Sequence, residues 1–482
     1  MEDHMKKYFS IFAALLIVLV LAIAPFEKAN TVVLADATTK ALATNYTLVN
    51  LGEAQATVSA QYLTPDGTEW GDSIFKDFTI PAGGNAIVRQ YFDTGLTPGM
   101  GSVVISSDQP LGAMVQEVTR SGVPTMGAYS GVSTPSATWY IPLAARQATS
   151  ATGKANSQIV VQNVGSAAVN FKVEFFSRST GALALTRNYT GLASGASRLI
   201  DLDLETGLTA PWWGSVVVST TSGSLGVVSN LFFGADSLNA FNAFAAEEIT
   251  SSWRIPLLYI RLTNTLTSSI TIQNLSGETL PVGDIELACI KNSASPGTDF
   301  TLHSASSVAD KLSYSFNTYT DTVNFPTPNW QGSCEVKSLS GKDIAVLVQD
   351  RYIKNAEQSM YGAVPGYLTS QKVSVPLVAK RLANGFANTV TIQNLGTTTA
   401  TLTITYLPTG GGTPIIRTDI SVLAGANYIR NFRLTATEAP EMLDGWEGSM
   451  VIESNTPIAA FVQNTYLTAY GDRLMAYIGF NN

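Results

Sequence analysis

The chain has 482 residues, of which 45% are hydrophobic and 13% are charged, and its formal net charge is −8. This length exceeds what one hydrophobic core organises and indicates several domains. The charged share is about half of the roughly 25% usual in soluble proteins, so we expect a surface rich in Ser, Thr, Asn and Gly. No run of Lys or Arg follows the N-terminus, which argues against nucleic acid as a partner because phosphate binding needs clustered cations.

The N-terminus has the layout of a secretory signal, with two lysines before an apolar run at residues 8–24. Residues 34–37, Leu-Ala-Asp-Ala, form the better cleavage site, since a cut after Ala24 would leave Pro25 at the new N-terminus. The alternative is an uncleaved signal anchor, because the run approaches the roughly 18 residues that span a bilayer. We expect export to a secreted or cell-surface location, with membrane contact only if residues 1–37 are retained.

Two motifs recur four times along the rest of the chain. The first ends a strand-like segment with Asn, and the second opens another such segment with Gly-Ser, often two residues after Trp. The Asn positions are Asn50, Asn163, Asn274 and Asn394, and the Gly positions are Gly101, Gly214, Gly332 and Gly448. Both markers repeat at intervals of 111 to 120 residues. The chain is therefore a tandem array of four repeats.

Within a repeat, apolar and polar residues alternate, as in Thr401 to Leu407, which predicts strands with one buried side. Turn residues such as Pro, Asp and Gly separate these segments. The interval matches the roughly 100 residues of a sandwich of about seven antiparallel strands. Repeats 2 to 4 begin with a further Pro-containing segment, at residues 139–146, 253–261 and 373–381, which suits an edge strand. Short polar linkers precede these segments, so we expect a semi-rigid, elongated rod.

The Gln-Asn motif followed by an alternating strand and the Gly-Ser segment resembles bacterial cell-adhesion-related Ig-like domains of secreted proteins. The resemblance covers most of the chain four times and implies an extracellular setting. Repeat 1 departs from this pattern, because it has Val-Asn in place of Gln-Asn and no Pro-containing opening segment. The expected fold is all-β, with four tandem antiparallel Ig-like β-sandwich domains after the N-terminal signal segment: residues 38–135, 136–249, 250–369 and 370–482.

Two cysteines, Cys289 and Cys334, both lie in repeat 3 at positions that alternation places in the core. In an exported sandwich they are candidates for a disulfide between the two sheets, and two free buried thiols are the alternative. Trp212, Trp330 and Trp446 precede the Gly-Ser pair. A tryptophan recurring at one position in a repeat is explained by packing at the end of the core, and ligand contact is the weaker alternative.

The sequence carries only two histidines, His4 and His303, so no histidine pair of a mature chain can bind zinc and a catalytic triad would depend on His303. We expect no enzymatic activity, no cofactor and no metal. The leading hypothesis is a structural or adhesive protein, and the alternative is an extracellular carbohydrate-binding array. The expected partners are a cell-envelope component, other copies of the chain or extracellular polysaccharide.

Overall fold

The structure, a computed structural model, describes residues 42–119, 125–150, 153–234, 237–353, 357–434, 442–467 and 473–481. The expected signal segment, residues 1–37, lies outside this part of the chain. The described residues are all-β, and their helices are three short 3-10 turns at Gln90–Phe92, Leu202–Leu204 and Ala246–Glu248. Across these ranges, no helix is long and apolar enough to cross a membrane.

In the described parts of the four repeats, thirty-five strands follow one another along the chain. Repeat 1 contains β1 (Leu42–Asn50), β2 (Ala56–Leu63), β3 (Asp77–Ile80), β4 (Asn85–Arg89), β5 (Ser102–Ser107), β6 (Leu111–Thr119) and β7 (Met126–Ser130). Repeat 2 contains β8 (Thr138–Arg146), β9 (Ala148–Ser150), β10 (Gly153–Asn163), β11 (Val169–Ser177), β12 (Leu183–Leu192), β13 (Ser197–Asp201), β14 (Trp212–Thr220), β15 (Leu225–Phe233), β16 (Leu238–Asn242) and β17 (Phe244–Ala245).

Repeat 3 contains β18 (Ser252–Ile260), β19 (Leu266–Asn274), β20 (Ile285–Lys291), β21 (Phe300–His303), β22 (Ser313–Asn317), β23 (Trp330–Ser338), β24 (Ile344–Tyr352), β25 (Gln358–Gly362) and β26 (Val364–Pro365). Repeat 4 contains β27 (Lys372–Lys380), β28 (Phe386–Asn394), β29 (Ala400–Pro408), β30 (Ile415–Val422), β31 (Asn427–Asn431), β32 (Trp446–Ser454), β33 (Ile458–Tyr466), β34 (Leu474–Ile478) and β35 (Phe480–Asn481).

The strands form eight antiparallel sheets, two in each repeat. One sheet of each repeat, which we call the axial sheet, has the strand order β4-β1-β6-β7 in repeat 1, β13-β10-β15-β16 in repeat 2, β22-β19-β24-β25 in repeat 3 and β31-β28-β33-β34 in repeat 4. The other sheet, which we call the peripheral sheet, has the strand order β3-β2-β5 in repeat 1, β12-β11-β14-β8-β17 in repeat 2, β21-β20-β23-β18-β26 in repeat 3 and β30-β29-β32-β27-β35 in repeat 4. The two sheets of a repeat share one core; in repeat 1, the hydroxyls of Tyr46 (β1) and Tyr62 (β2) meet at 2.8 Å inside it.

The recurring Asn fixes the end of one strand in every repeat. In repeat 4, the Asn394 side chain donates to the carbonyls of Thr398 and Val422 at 2.7 and 2.9 Å and accepts from the Gly396 amide at 2.9 Å. Asn50, Asn163 and Asn274 form the same set of bonds at their own turns. A buried amide that satisfies three backbone groups explains why Asn recurs at this position.

The four repeats close into a ring. The short last strands of the axial sheets pack in sequence, β7 against β16, β16 against β25 and β25 against β34, and β34 returns to pack against β7. The contact between the last and the first repeat is thus of the same kind as those between neighbours in sequence.

Equivalent hydrogen bonds join the repeats around the ring. The Ser of the Gly-Ser motif donates to a backbone carbonyl of the following repeat: Ser215 Oγ to Lys311 O at 2.8 Å, Ser333 Oγ to Gly425 O at 2.6 Å and Ser449 Oγ to Gly83 O at 2.7 Å. These three acceptors all have positive φ, between 62° and 71°. The bond from Ser449 connects repeat 4 to repeat 1 and so belongs to the ring closure.

The expected elongated rod is therefore wrong. A second series of bonds runs back to the opening prolines: Ser313 Oγ to Pro142 O, Asn427 Nδ2 to Pro256 O and Asn85 Nδ2 to Pro376 O, at 2.8 to 2.9 Å. Lys372 of repeat 4 also pairs with Glu53 of repeat 1 at 2.7 Å. Short linkers restrict the angle between neighbours but do not straighten the array, and these contacts turn every repeat towards one axis.

Candidate functional site

A depression lies on the ring axis, where all four repeats meet. It has a volume of about 370 Å³, and its lining comes from the ends of β7, β16, β25 and β34 and from the residues that follow them. Equivalent positions recur around it: Val132, Phe244, Val364 and Phe480 form one such set. Because each repeat contributes the same segment, the depression exists only in the closed ring.

The lining of the axial depression is mostly apolar. Val132, Ile478 and Phe480 are half-buried at its surface, and Phe244 is buried. Trp139 and Trp253, from the opening strands of repeats 2 and 3, lie beside it and are also buried. A concave apolar surface with a few polar groups is the usual form of a binding site.

Two polar side chains of the axial depression, Asn242 and Glu248, bond to the protein. The Asn242 side chain donates to Ser130 O at 2.6 Å and accepts from the Ser130 amide at 2.8 Å, which joins repeats 1 and 2. The Glu248 carboxylate accepts from the Ala245 amide at 3.2 Å. Burial raises the pKa of Glu248 above its ordinary value, and the Ala245 amide opposes that rise.

The three recurring tryptophans lie away from this depression. Trp212 and Trp330 are buried and Trp446 is half-buried, and each packs edge-on against an aromatic ring of its own repeat. Each indole also covers the motif Gly: a Cβ on Gly214, Gly332 or Gly448 would lie 2.2 to 2.5 Å from it. The Gly therefore permits the tryptophan to close the end of the core.

In repeat 1 a residue that the sequence reasoning missed takes this place. Trp70, which comes from the loop after β2, covers Gly101 so closely that a Cβ there would lie 2.5 Å from its ring. It is buried, and its Nε1 donates to Thr97 Oγ1 at 3.3 Å. The only sequence signal was a lone tryptophan in the one repeat that lacks Trp before Gly-Ser.

The predicted disulfide between Cys289 and Cys334 is confirmed, with an S–S distance of 2.06 Å. Its expected position between two sheets is wrong. Cys289 on β20 and Cys334 on β23 lie directly opposite each other in one peripheral sheet, with their Cα atoms 4.1 Å apart. Alternation places both side chains on the core side, but it does not tell whether two strands are neighbours in one sheet or face each other across the core.

Two buried carboxyls, also missed from the sequence, occupy equivalent positions near the axis. Glu117 on β6 accepts from Asn230 Nδ2 of repeat 2 at 2.8 Å, and Asp350 on β24 accepts from Ser268 Oγ at 2.6 Å. Burial raises the pKa of Glu117 to about 8 and that of Asp350 to about 7, and the two hydrogen bonds oppose the rise. Such raised pKa values mark functional or structural acids alike.

No constellation for metal binding emerges within the described ranges. They hold no group of three or more His, Cys, Asp or Glu side chains placed to bind an ion. His303 is 47% exposed, and its Nε2 lies 4.0 Å from a carboxylate oxygen of Glu286. The two residues lie opposite each other in the register of β20 and β21.

Comparisons with known proteins provide little further guidance. No protein-family model matches the chain, and no curated protein matches it. Among solved structures, an Escherichia coli alpha-2-macroglobulin activated by porcine elastase aligns with 93% of this chain and 44% of that chain, at 10% identity and a TM-score of 0.11. The chain thus spans less than half the length of that protein.

Proposed function

We propose that this is a non-enzymatic, secreted or cell-surface protein with a structural or adhesive role, built from four Ig-like β-sandwich domains. The domains would follow the repeat boundaries, after an N-terminal signal that exports the chain. The supporting observation is the axial depression. All four repeats contribute to one apolar concave surface, which suits a protein that holds a partner and performs no chemistry on it.

The partner that best fits the depression is an apolar side chain of a cell-envelope protein. A volume of about 370 Å³ accommodates a few large side chains, and Val132, Ile478 and Phe480 offer apolar contact at its surface. A polysaccharide would need several free hydrogen-bonding groups; Ser133 and Thr134 offer two exposed hydroxyls in the lining, whereas the Asn242 amide is bonded to Ser130 on both of its atoms. The depression therefore favours a protein partner over the carbohydrate alternative.

The test is retention of the protein on the envelope of the producing cells. Val132→Asp places a charge in the apolar depression, and we expect at least a tenfold loss of retention because the carboxylate would lose water on binding. Val282→Asp is the matched control, because Val282 is 65% exposed and lies outside the depression. Fractionation of the cells, followed by native sizing, measures both variants.

Equal retention of Val132→Asp and Val282→Asp would remove the depression from the proposal. A wild-type chain recovered only as a free monomer in the medium would overturn the surface role itself. Loss of retention in both variants would point to non-specific charge repulsion and would also count against the depression.

A further inference from the structure

The described residues of repeat 1, which begin at residue 42, contain no counterpart of the opening strand found in the other three repeats. In repeats 2 to 4 the strand that starts at the Gly-Ser motif lies between two partners, and one of these partners is the Pro-containing opening strand, β8, β18 or β27. Its counterpart in repeat 1, β5, pairs only with β2 among the described residues, so its other edge carries no strand there. An unpaired edge leaves backbone donors and acceptors available to another strand.

A buried side chain beside this edge also lacks its usual partner. In repeats 2 to 4, the side chain six residues before the shared Asn accepts a hydrogen bond from a backbone amide of the opening strand. The bonds run from Ala145 N to Ser157 Oγ, from Tyr259 N to Ser268 Oγ and from Ala379 N to Asn388 Oδ1, at 2.9 to 3.0 Å. Thr44 occupies that position in repeat 1. It is 1% exposed, and among the described residues its Oγ1 has no hydrogen-bond partner, which is costly for a buried hydroxyl.

Apolar residues of β5 are more exposed than their counterparts. Val104 is 40% exposed, whereas Val217 and Val451 are 6% and 9% exposed. Ile105 is half-buried, whereas Val218, Val336 and Ile452 are fully buried.

The sequence before β1 has the spacing of an opening strand. In repeats 3 and 4, Pro256 and Pro376 precede the shared Asn by 18 residues, and five residues separate the opening strands Ser252–Ile260 and Lys372–Lys380 from the axial strands that follow. The same offset from Asn50 selects residues 28–36, Lys-Ala-Asn-Thr-Val-Val-Leu-Ala-Asp, with residues 37–41 as the connection. This segment is apolar and β-branched at its centre, as a strand requires.

We propose that residues 28–36 of the same chain dock on the open edge of β5 and complete the peripheral sheet of repeat 1. The register of β27 on β32 places Asn30 opposite Val104 and Leu34 opposite Gly101. The Ala35 amide then donates to Thr44 Oγ1, as Ala379 does to Asn388. The proposal requires a mature chain that begins at or before Lys28, so it excludes the expected cleavage after Ala37 and moves the start of repeat 1 from residue 38 to residue 28.

The test is a cysteine pair in the full, exported chain. Asn30→Cys with Val104→Cys joins two directly opposed positions, and we expect a disulfide within one chain, mapped by mass spectrometry of non-reduced peptides. Asn30→Cys with Gln61→Cys is the matched control. Gln61 is exposed and lies opposite Val104 on β2, two strands from the predicted place of Asn30 and beyond the roughly 7 Å over which two Cα atoms can be bridged.

A bond in the first pair at least tenfold more abundant than in the second supports the proposal. Equal yields would mean that the segment is not docked, and a bond between two chains would mean that a second copy supplies the strand; either result overturns it. Hydrogen exchange of the unmodified chain is the second measurement, since it needs no substitution. Slow exchange of the Ala35 amide, matching Tyr259 and Ala379, is expected, and a mature N-terminus after Asp36 would exclude the docking.

Discussion

The axial and peripheral sheets of a repeat differ in how many of their faces are buried. Along β29, in a peripheral sheet, buried and more exposed residues alternate, whereas every residue of β28, in the adjoining axial sheet, is buried. The alternating strands β2 and β11 differ in the same way from β1 and β10. The second face of the axial sheet is thus covered by the neighbouring repeat.

This difference shows that polar residues do not by themselves mark a solvent face. The second face of β28 carries Thr389, Thr391 and Gln393, all buried, and β28 packs against β18 of repeat 3. These residues have the polarity of an exposed strand face, yet they lie between repeats. Sheets buried on both faces usually have apolar residues on both, so the interface is more polar than a typical core.

The largest expected effect on stability is that of a charge placed on the buried second face of β28, compared with the same charge on the exposed face of β29. Thr391→Asp introduces a carboxylate on the buried second face of β28, and we expect the free energy of unfolding to fall by about 3 to 5 kcal/mol because the charge has no partner. Thr401→Asp makes the same change on β29, where the residue is exposed, and is expected to cost about 0.5 kcal/mol or less. Urea denaturation measures both, and equal losses would refute the distinction between the sheets.

The buried acids of the axial sheets predict a pH dependence. Because the folded pKa values of Glu117 and Asp350 are raised, to about 8 and about 7, the folded chain binds more protons than the unfolded chain between about pH 4 and pH 8. The free energy of unfolding should therefore decrease as the pH rises through this window. Glu117→Gln, which keeps an oxygen for Asn230 Nδ2, should remove on the order of 4 kcal/mol of this decrease between pH 5 and pH 9.

Denaturation at pH 5 and pH 9 measures that effect. Glu69→Gln, at an exposed position of the peripheral region, is the control and should leave the pH dependence unchanged. A Glu117→Gln chain as sensitive to pH as the wild type would show that Glu117 is already ionised when folded.

The smallest effect concerns the ring closure. Ser449→Ala removes the bond to Gly83 O at 2.7 Å, and we expect a loss of about 1 kcal/mol, the usual worth of a neutral hydrogen bond. Ser421→Ala, on the exposed part of β30, should change the stability by less than half of that. If Ser449→Ala is as silent as Ser421→Ala in thermal unfolding, the bond contributes nothing to the closure.

Much of the local structure could be predicted because its causes lie close together in the sequence. Alternation in Thr401 to Leu407 predicted β29, and the recurring Asn394 marked the end of the strand-like segment that forms β28. The pairing of Cys289 with Cys334 was also predicted, since the alternation of apolar and polar residues placed both side chains on the core side of their strands. The candidate site was not predicted, because the axial depression requires one segment from each of four repeats.

The sequence by itself determined the all-β class, the fourfold repeat and the disulfide partners. The reason is that the two-residue period of a strand, its turn residues and the side of the strand that faces the core can all be recognised within short stretches of chain. Only the tertiary structure decided that the repeats close into a ring, that Trp70 replaces the motif tryptophan in repeat 1, and that the cysteines lie in one sheet. Each of these depends on which strands, loops or repeats become neighbours in space, which residues distant in the sequence decide together. A two-residue period records that a face is turned inward, but it carries no information about what covers that face.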